Sequence, residues 1–153
     1  MRDLAPIIFI CYNRYNHVVR SLNSLKKNKL SKKSKIIIFA DGPTDKTNKK
    51  KTDRIKIFLK KINGFKSKKI IFRKKNLGTK KNIVNAVDQV FKKFNKVIVI
   101  EDDLILSKFF LDYMNLCLKN YKDEKKIWHV NGWSYPFMRY SKNDINFLGS
   151  MNC

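Results

Sequence analysis

Val97-Ile98-Val99-Ile100-Glu101-Asp102-Asp103-Leu104 joins an apolar run to three consecutive carboxylates, in a chain with 35 lysines and arginines against 12 acids. Four β-branched or aliphatic residues in succession predict a strand covered on both faces, the kind found in parallel sheets. The carboxyl end of such a strand is where parallel sheets bind ligands. Three adjacent acids repel one another and need a compensating positive charge. Hard oxygen donors at a sheet mouth suit a divalent cation such as Mg2+ or Mn2+. The plainer alternative is a solvated turn that leads into a helix.

Strand-like and helix-like segments alternate around this stretch. Pro6 to Tyr12 predicts a first strand, and Val18, Val19, Leu22 and Leu25 follow at helical spacing with Asn13 or Asn16 as N-cap. Lys35 to Asp41 predicts a second buried strand, closed by the Gly42-Pro43 turn. Thr44 or Asp45 is placed to cap a helix with the apolar stripe Ile55, Phe58, Leu59 and Ile62, stopping near Asn63-Gly64. Lys69 to Arg73 reads as a short third strand. After Asn76-Leu77-Gly78, a helical face of Ile83, Val87, Val90, Phe91 and Phe94 precedes the fourth strand, Val97 to Ile100. Ser107 is placed to cap a last helix carrying Phe110, Tyr113, Met114 and Cys117, and Ile127 to Val130 predicts a fifth strand. Such alternation implies right-handed crossovers and a three-layer α/β/α fold around a mainly parallel sheet.

Composition narrows the function classes. A length of 153 residues with 43% hydrophobic content suits one domain with a real core. No run of 18 apolar residues is present to span a membrane, and Met1 to Pro6 lacks the pattern of a secretory leader. Cys11, Cys117 and Cys153 are odd in number and lack CxxC spacing, so neither a disulfide framework nor a zinc site is expected, and a reducing cytoplasm fits. The net charge of +23 raises nucleic-acid binding. However, only Arg2, Arg14, Arg20, Arg54, Arg73 and Arg139 are arginine, the residue that base and phosphate recognition enriches. Lysine pairs and triplets are spread along nearly every helix-like segment, which reads as solvated faces and not as a nucleic-acid site. A basic surface of this kind is also drawn to anionic lipid headgroups and acidic substrates.

In a parallel sheet the strand ends share one edge, so Tyr12-Asn13-Arg14, Asp41-Gly42-Pro43 and Glu101-Asp102-Asp103 are expected to converge on one crevice. The set suits a nucleoside diphosphate. Tyr12 would face a base, Asp41 would accept hydrogen bonds from ribose or base, and a metal held by the triplet would bridge the diphosphate. Arg14 and Lys80 or Lys81 would add positive charge near the phosphates. Asp41 alone is equally at home as a turn former.

Pro6 to Asn13, Ile36 to Gly42, Asn76-Leu77-Gly78 and Val97 to Leu104 resemble, in order and spacing, the nucleotide-sugar half of GT-A fold glycosyltransferases. With Phe109 to Met114 and Trp128-His129-Val130-Asn131-Gly132-Trp133, the likeness is nearest to the N-acetylglucosaminyltransferase I branch and its bacterial sugar-transferase relatives, and it covers residues 6 to about 135. The resemblance implies a Rossmann-like fold and a DXD-type motif at Glu101-Asp102-Asp103. The last acid, Asp103, would bind Mn2+ or Mg2+, Asp102 would lie near the donor ribose or sugar, and Glu101 near the sugar or just behind the residues that touch it. It further implies nucleotide-sugar contacts from Tyr12, Asn13, Arg14, Asp41, Gly78 and Lys81.

The activity implied is transfer of a sugar from a nucleoside-diphosphate sugar to an acceptor hydroxyl on a saccharide or lipid-linked acceptor. The expected location is the cytoplasm or, peripherally, the inner membrane face. Members of that group continue into an acceptor-binding half that carries the general base. From Tyr135 to Cys153 this chain is irregular and aromatic, so residues 1–153 are expected to form a single nucleotide-sugar-binding domain truncated before that half. An apolar edge would then favour self-association. Asp112, Asp123, Glu124 and Asp144 read as surface acids, so no catalytic base is assigned. His17 and His129 read as a helix-start and a strand residue, and Trp133 as either a pocket wall or a core residue. Two rival readings are a donor-binding remnant without catalysis and a lysine-rich binder of nucleic acid or membrane.

Overall fold

The computed structural model describes residues 4–133. The irregular segment beginning at Tyr135, with Asp144 and Cys153, lies outside the described residues. Strands β1 (Ile7–Cys11), β2 (Lys35–Ala40), β3 (Ser67–Phe72) and β4 (Ile98–Glu101) alternate with helices α1 (Tyr15–Lys26), α2 (Lys46–Lys61), α3 (Thr79–Phe91) and α4 (Phe110–Asn120). A short 3-10 turn, Ser31–Lys33, precedes β2. All neighbouring strands pair in parallel, in the order β3-β2-β1-β4. The chain therefore steps outward from β1 to β3 and then returns across the sheet to the other side of β1.

That reversal decides where the helices lie. Right-handed crossovers that step one way place their helices on one face, and a crossover stepping back must use the opposite face. Accordingly Val18, Leu22 and Leu25 of α1, Ile55 and Leu59 of α2, and Leu111 and Met114 of α4 pack with Ile7, Phe9, Ile36, Ile38, Ile98 and Ile100 on one side. Ala86 and Val90 of α3 pack with Ile8, Ile10 and Phe39 on the other. The expected three-layer parallel architecture is thus what the chain adopts.

β1 is buried along its whole length, as a central strand covered by helices on both faces must be. β4 departs from the expectation. It is buried only at Ile98 and Ile100, while Val99 and Glu101 are exposed. The reason is that α3 packs over β1 and β2, so the far face of this edge strand is left open among the described residues. The expected fifth strand is also absent. Ile127 to Val130 forms no strand, because an extended segment becomes one only by pairing, and Trp128 instead stands 92% exposed.

The helix starts show which local signals survive tertiary packing. Asp45 caps α2, its carboxylate accepting from the Asn48 backbone N–H at 2.8 Å and from the Thr44 hydroxyl at 2.7 Å. Neither Asn13 nor Asn16 caps α1, whose N-cap position is Arg14, and Phe109 rather than Ser107 occupies that position of α4. The start of α4 is fixed from outside. Buried Asn28 accepts from Leu111 N–H at 2.9 Å, and the Ser24 hydroxyl accepts from Leu106 N–H at 3.0 Å. The connection from β4 to α4 is therefore fastened along α1.

Two expectations follow. Asn28→Ala leaves the Leu111 N–H buried without its acceptor and should lower stability by about 1–3 kcal/mol in urea denaturation. Hydrogen bonds, first from Asn48 N–H and then from Thr44 and the Asn48 side chain, hold the Asp45 carboxyl down to about 2. A carboxyl depressed on folding stabilises above its unfolded value of about 4, and the contribution fades as pH falls towards about 2. Amide protection in the first turn of α2 should drop over that window, and Asp45→Ala should remove the pH dependence there.

Candidate functional site

Register sets the geometry of the site. Cys11 pairs with Ala40, Ala40 with Phe72, and Ile10 with Glu101, so the strand ends are flush and Asp102 follows beside Cys11. Strand order reverses between β1 and β4, the position at which open parallel sheets form a ligand crevice. There Asp102 is 4% exposed, although it carries a carboxylate. A buried carboxylate needs a charged partner. Arg14 supplies it, donating from Nη2 to Asp102 Oδ1 at 2.5 Å and to Asp103 Oδ2 at 3.1 Å. Tyr12 N–H adds a longer bond of 3.4 Å to Asp102 Oδ2. Burial acts to lower the Arg14 pKa, but the hydrogen bonds and charges of Asp102 and Asp103 outweigh it and the net shift is upward.

The three acids stand in different environments. Glu101 ends β4 on the exposed face, with its carbonyl accepting weakly from the Ser21 hydroxyl at 3.4 Å. Asp102 is buried against Arg14, and Asp103 is exposed beside it. Among the described residues no group of three or more His, Cys, Asp or Glu side chains could hold a metal. The charge compensation demanded by the triplet therefore comes first from Arg14. The donor set still fits a hard cation of the kind that takes one or two carboxylates and completes its shell with water and phosphate oxygens. Asp103 is the accessible member of that set.

Asp41 has the environment of the turn former, one of its two readings. It is 5% exposed, and its Oδ1 accepts from Gly42 N–H and Leu77 N–H, both at 2.9 Å, while Oδ2 accepts from Gly78 N–H at 3.1 Å. The side chain thus ties the exit of β2 to the loop that starts α3. Asn76 reinforces the tie by donating to the Gly42 carbonyl at 3.0 Å. At Gly42 an added Cβ would meet the Lys75 backbone at 2.5 Å, so only glycine permits this approach. Gly78 sits at φ +75 immediately before α3, a left-handed conformation that favours glycine. A carboxylate offers about four acceptor positions, so Asp41 retains about one for a ligand.

Tyr12 and Asn13 belong to the same rim. The Tyr12 hydroxyl lies 3.2 Å from the Thr44 hydroxyl, and Asn13 Nδ2 donates to Asn48 Oδ1 at 2.6 Å. Lys80 and Lys81 are exposed in the first turn of α3. Cys11 is buried in the core at the end of β1. Burial pushes its thiol pKa far up, with the charges of Asp102 and Asp41 adding to the effect. His17, His129 and Trp133 are exposed, so Trp133 is not a core residue. The sequence does not single out Asn48, and it marks Thr44 only as a candidate helix cap and Asn76 only as part of the Asn76-Leu77-Gly78 stretch. Their partners lie about 30 residues away, and only the capping pattern at Thr44-Asp45 marks the neighbourhood.

The GNT-I family model matches residues 1–136, in line with the resemblance in the strand-end motifs. No curated protein matches significantly. Among solved structures, S. aureus TarS aligns with a TM-score of 0.57 at 20% identity over 78% of this chain. A second structure, S. aureus TarS 1-349, aligns with a TM-score of 0.56 at 20% identity, also over 78% of this chain. The chain spans 20% of the first and 33% of the second. At that identity the likeness is one of fold.

Asp41→Ala removes the acceptor for three backbone N–H groups, and should cost about 2–4 kcal/mol of stability in urea denaturation. Gly42→Ala should be destabilising by the independent route of a clash with the Lys75 backbone. An unchanged midpoint for Asp41→Ala would show that the carboxylate does not brace the loop.

Proposed function

The chain belongs to the GNT-I family, and from that premise we propose that it binds a nucleoside-diphosphate sugar at the β1/β4 mouth as the donor site of a glycosyltransferase. The observation that carries the reading is the Arg14–Asp102–Asp103 cluster at the point where strand order reverses. Arg14 spends only Nη2 on the two acids. A guanidinium has five N–H groups, so those on Nη1 and Nε remain for diphosphate oxygens. The side chain is 47% exposed, which leaves these donors within reach of a ligand.

Asp41 and Tyr12 are assigned to the nucleoside, Asp41 through its one spare acceptor position and Tyr12 through its ring. Asn13, Gly78 and Lys81 are assigned to the rim, and Glu101 and Asp102 to the sugar end. Asp103, with Asp102 behind it, would hold Mn2+ or Mg2+. Bound there, such an ion neutralises charge on the departing diphosphate. What the chain itself provides is placement. The pairing of Asp102 with Arg14 keeps the exit of β4 and the start of α1 in register, so the donors are positioned before the ligand arrives. The acceptor, a saccharide or a lipid-linked hydroxyl, is a further part of the proposal.

Titration calorimetry with a panel of nucleoside diphosphates, with and without Mn2+, tests the reading. One nucleotide should bind more tightly in Mn2+, and Asp103→Ala should abolish that gain while far-ultraviolet circular dichroism stays unchanged. Equal binding by the variant and the parent in Mn2+ would remove Asp103 from the metal site.

A further inference from the structure

Away from the sheet mouth, Lys27, Lys29 and Lys108 line a shallow concavity of about 110 Å3 together with Phe109. The lysines come from two separate segments. Lys27 closes α1 and Lys29 follows it, while Lys108 belongs to the connection that Ser24 and Asn28 fasten against α1. The grouping is therefore made by the fold and not by a run of sequence. Among the described residues the ion pairs are Arg14 with Asp102 and Asp103, and Lys49 and Lys56 with Asp53. Among the described residues none of the three concavity lysines has a carboxylate partner, so an external anion would relieve their mutual repulsion.

The apolar side chain beside them narrows the class of anion. Lys108 Nζ stands 5.0 Å from the centre of the Phe109 ring. That ring is 53% exposed. Lysines set beside an exposed aromatic ring suit a surface that presents phosphates above hydrocarbon. A free phosphate ion would make no use of the apolar half. We propose that Lys27, Lys29, Lys108 and Phe109 form a docking site for anionic phospholipid headgroups, with the Phe109 ring entering the interface. Helix α1, with 12 residues, separates this site from the sheet mouth, a span of about 18 Å. The crevice therefore stays open to solvent when the concavity is seated, and the proposal stands independently of the donor reading.

Flotation of the 153-residue chain with phosphatidylcholine vesicles, with and without phosphatidylglycerol, tests it. The chain should partition to the anionic vesicles. The triple variant Lys27→Gln, Lys29→Gln, Lys108→Gln should lose roughly 100-fold in partitioning, about 5-fold per lysine. A control with the same charge loss on α2, Lys46→Gln, Lys50→Gln, Lys51→Gln, should lose far less; equal losses would mean general charge attraction and overturn the site. Phe109→Ala should weaken binding at unchanged net charge, and no weakening would overturn insertion of the ring. Inorganic phosphate should displace the chain no better than chloride at matched ionic strength. Selective displacement by phosphate would instead identify a free-anion site and overturn the lipid assignment.

Discussion

A carboxylate taken out of water at the end of β4 is the constraint on which the mouth of the sheet depends. Asp102 is almost fully buried, and leaving such a group unpaired costs several kcal/mol. Its partner has to arrive from another element, and Arg14 sits where α1 begins. The position would locally favour a serine, asparagine or aspartate that caps the helix. Here it holds an arginine with no capping bond. The start of α1 has given up local satisfaction for a contact across 88 residues of sequence. This conflict between local and tertiary preference is a mark of functional sites.

The sheet was legible because its signals are local and strong. Ile7 to Cys11, Lys35 to Ala40 and Ile98 to Ile100 are short aliphatic runs bounded by turn residues, and each is a strand in the structure. The stripe Ile55 and Leu59 lies inward as its spacing requires, and Asp45 caps as its chemistry suggests. What escaped the sequence was decided by contacts between distant residues. Asn13 has the composition of a cap but its amide is used on Asn48. Asp41 is open to two readings in the sequence, turn former and ligand-reading acid, and only the fold shows that three backbone groups from two loops occupy most of its carboxylate. Glu101, Asp102 and Asp103 are adjacent in sequence, but they meet three environments because strand alternation and burial separate them.

The lysines show the same division between composition and context. Most lie on exposed faces, in agreement with their spread along the chain. Lys68 is different. Its ammonium donates to the carbonyls of Leu59, Lys60 and Ile62 at 3.2, 2.8 and 2.7 Å, closing the C-terminal end of α2 from the neighbouring strand β3. Those carbonyls carry the negative end of the helix dipole, and a cation there both bonds and neutralises them. Strand alternation distinguishes Lys68 from Lys69: Lys68 shares the face of β3 with Ile70 and Phe72, which pack on the α2 side of the core.

Cys11 gives the molecule a built-in reporter. Its side chain is buried in the core at the end of β1, with a thiol held protonated first by burial and then by the charges of Asp102 and Asp41, and only a thiolate reacts readily with alkylating reagents. A maleimide in solution therefore reaches and modifies this position only during excursions in which the mouth of the sheet opens. The labelling rate at Cys11 measures how often that opening occurs, and a ligand that clamps the rim slows it without any dye, tag or engineered residue.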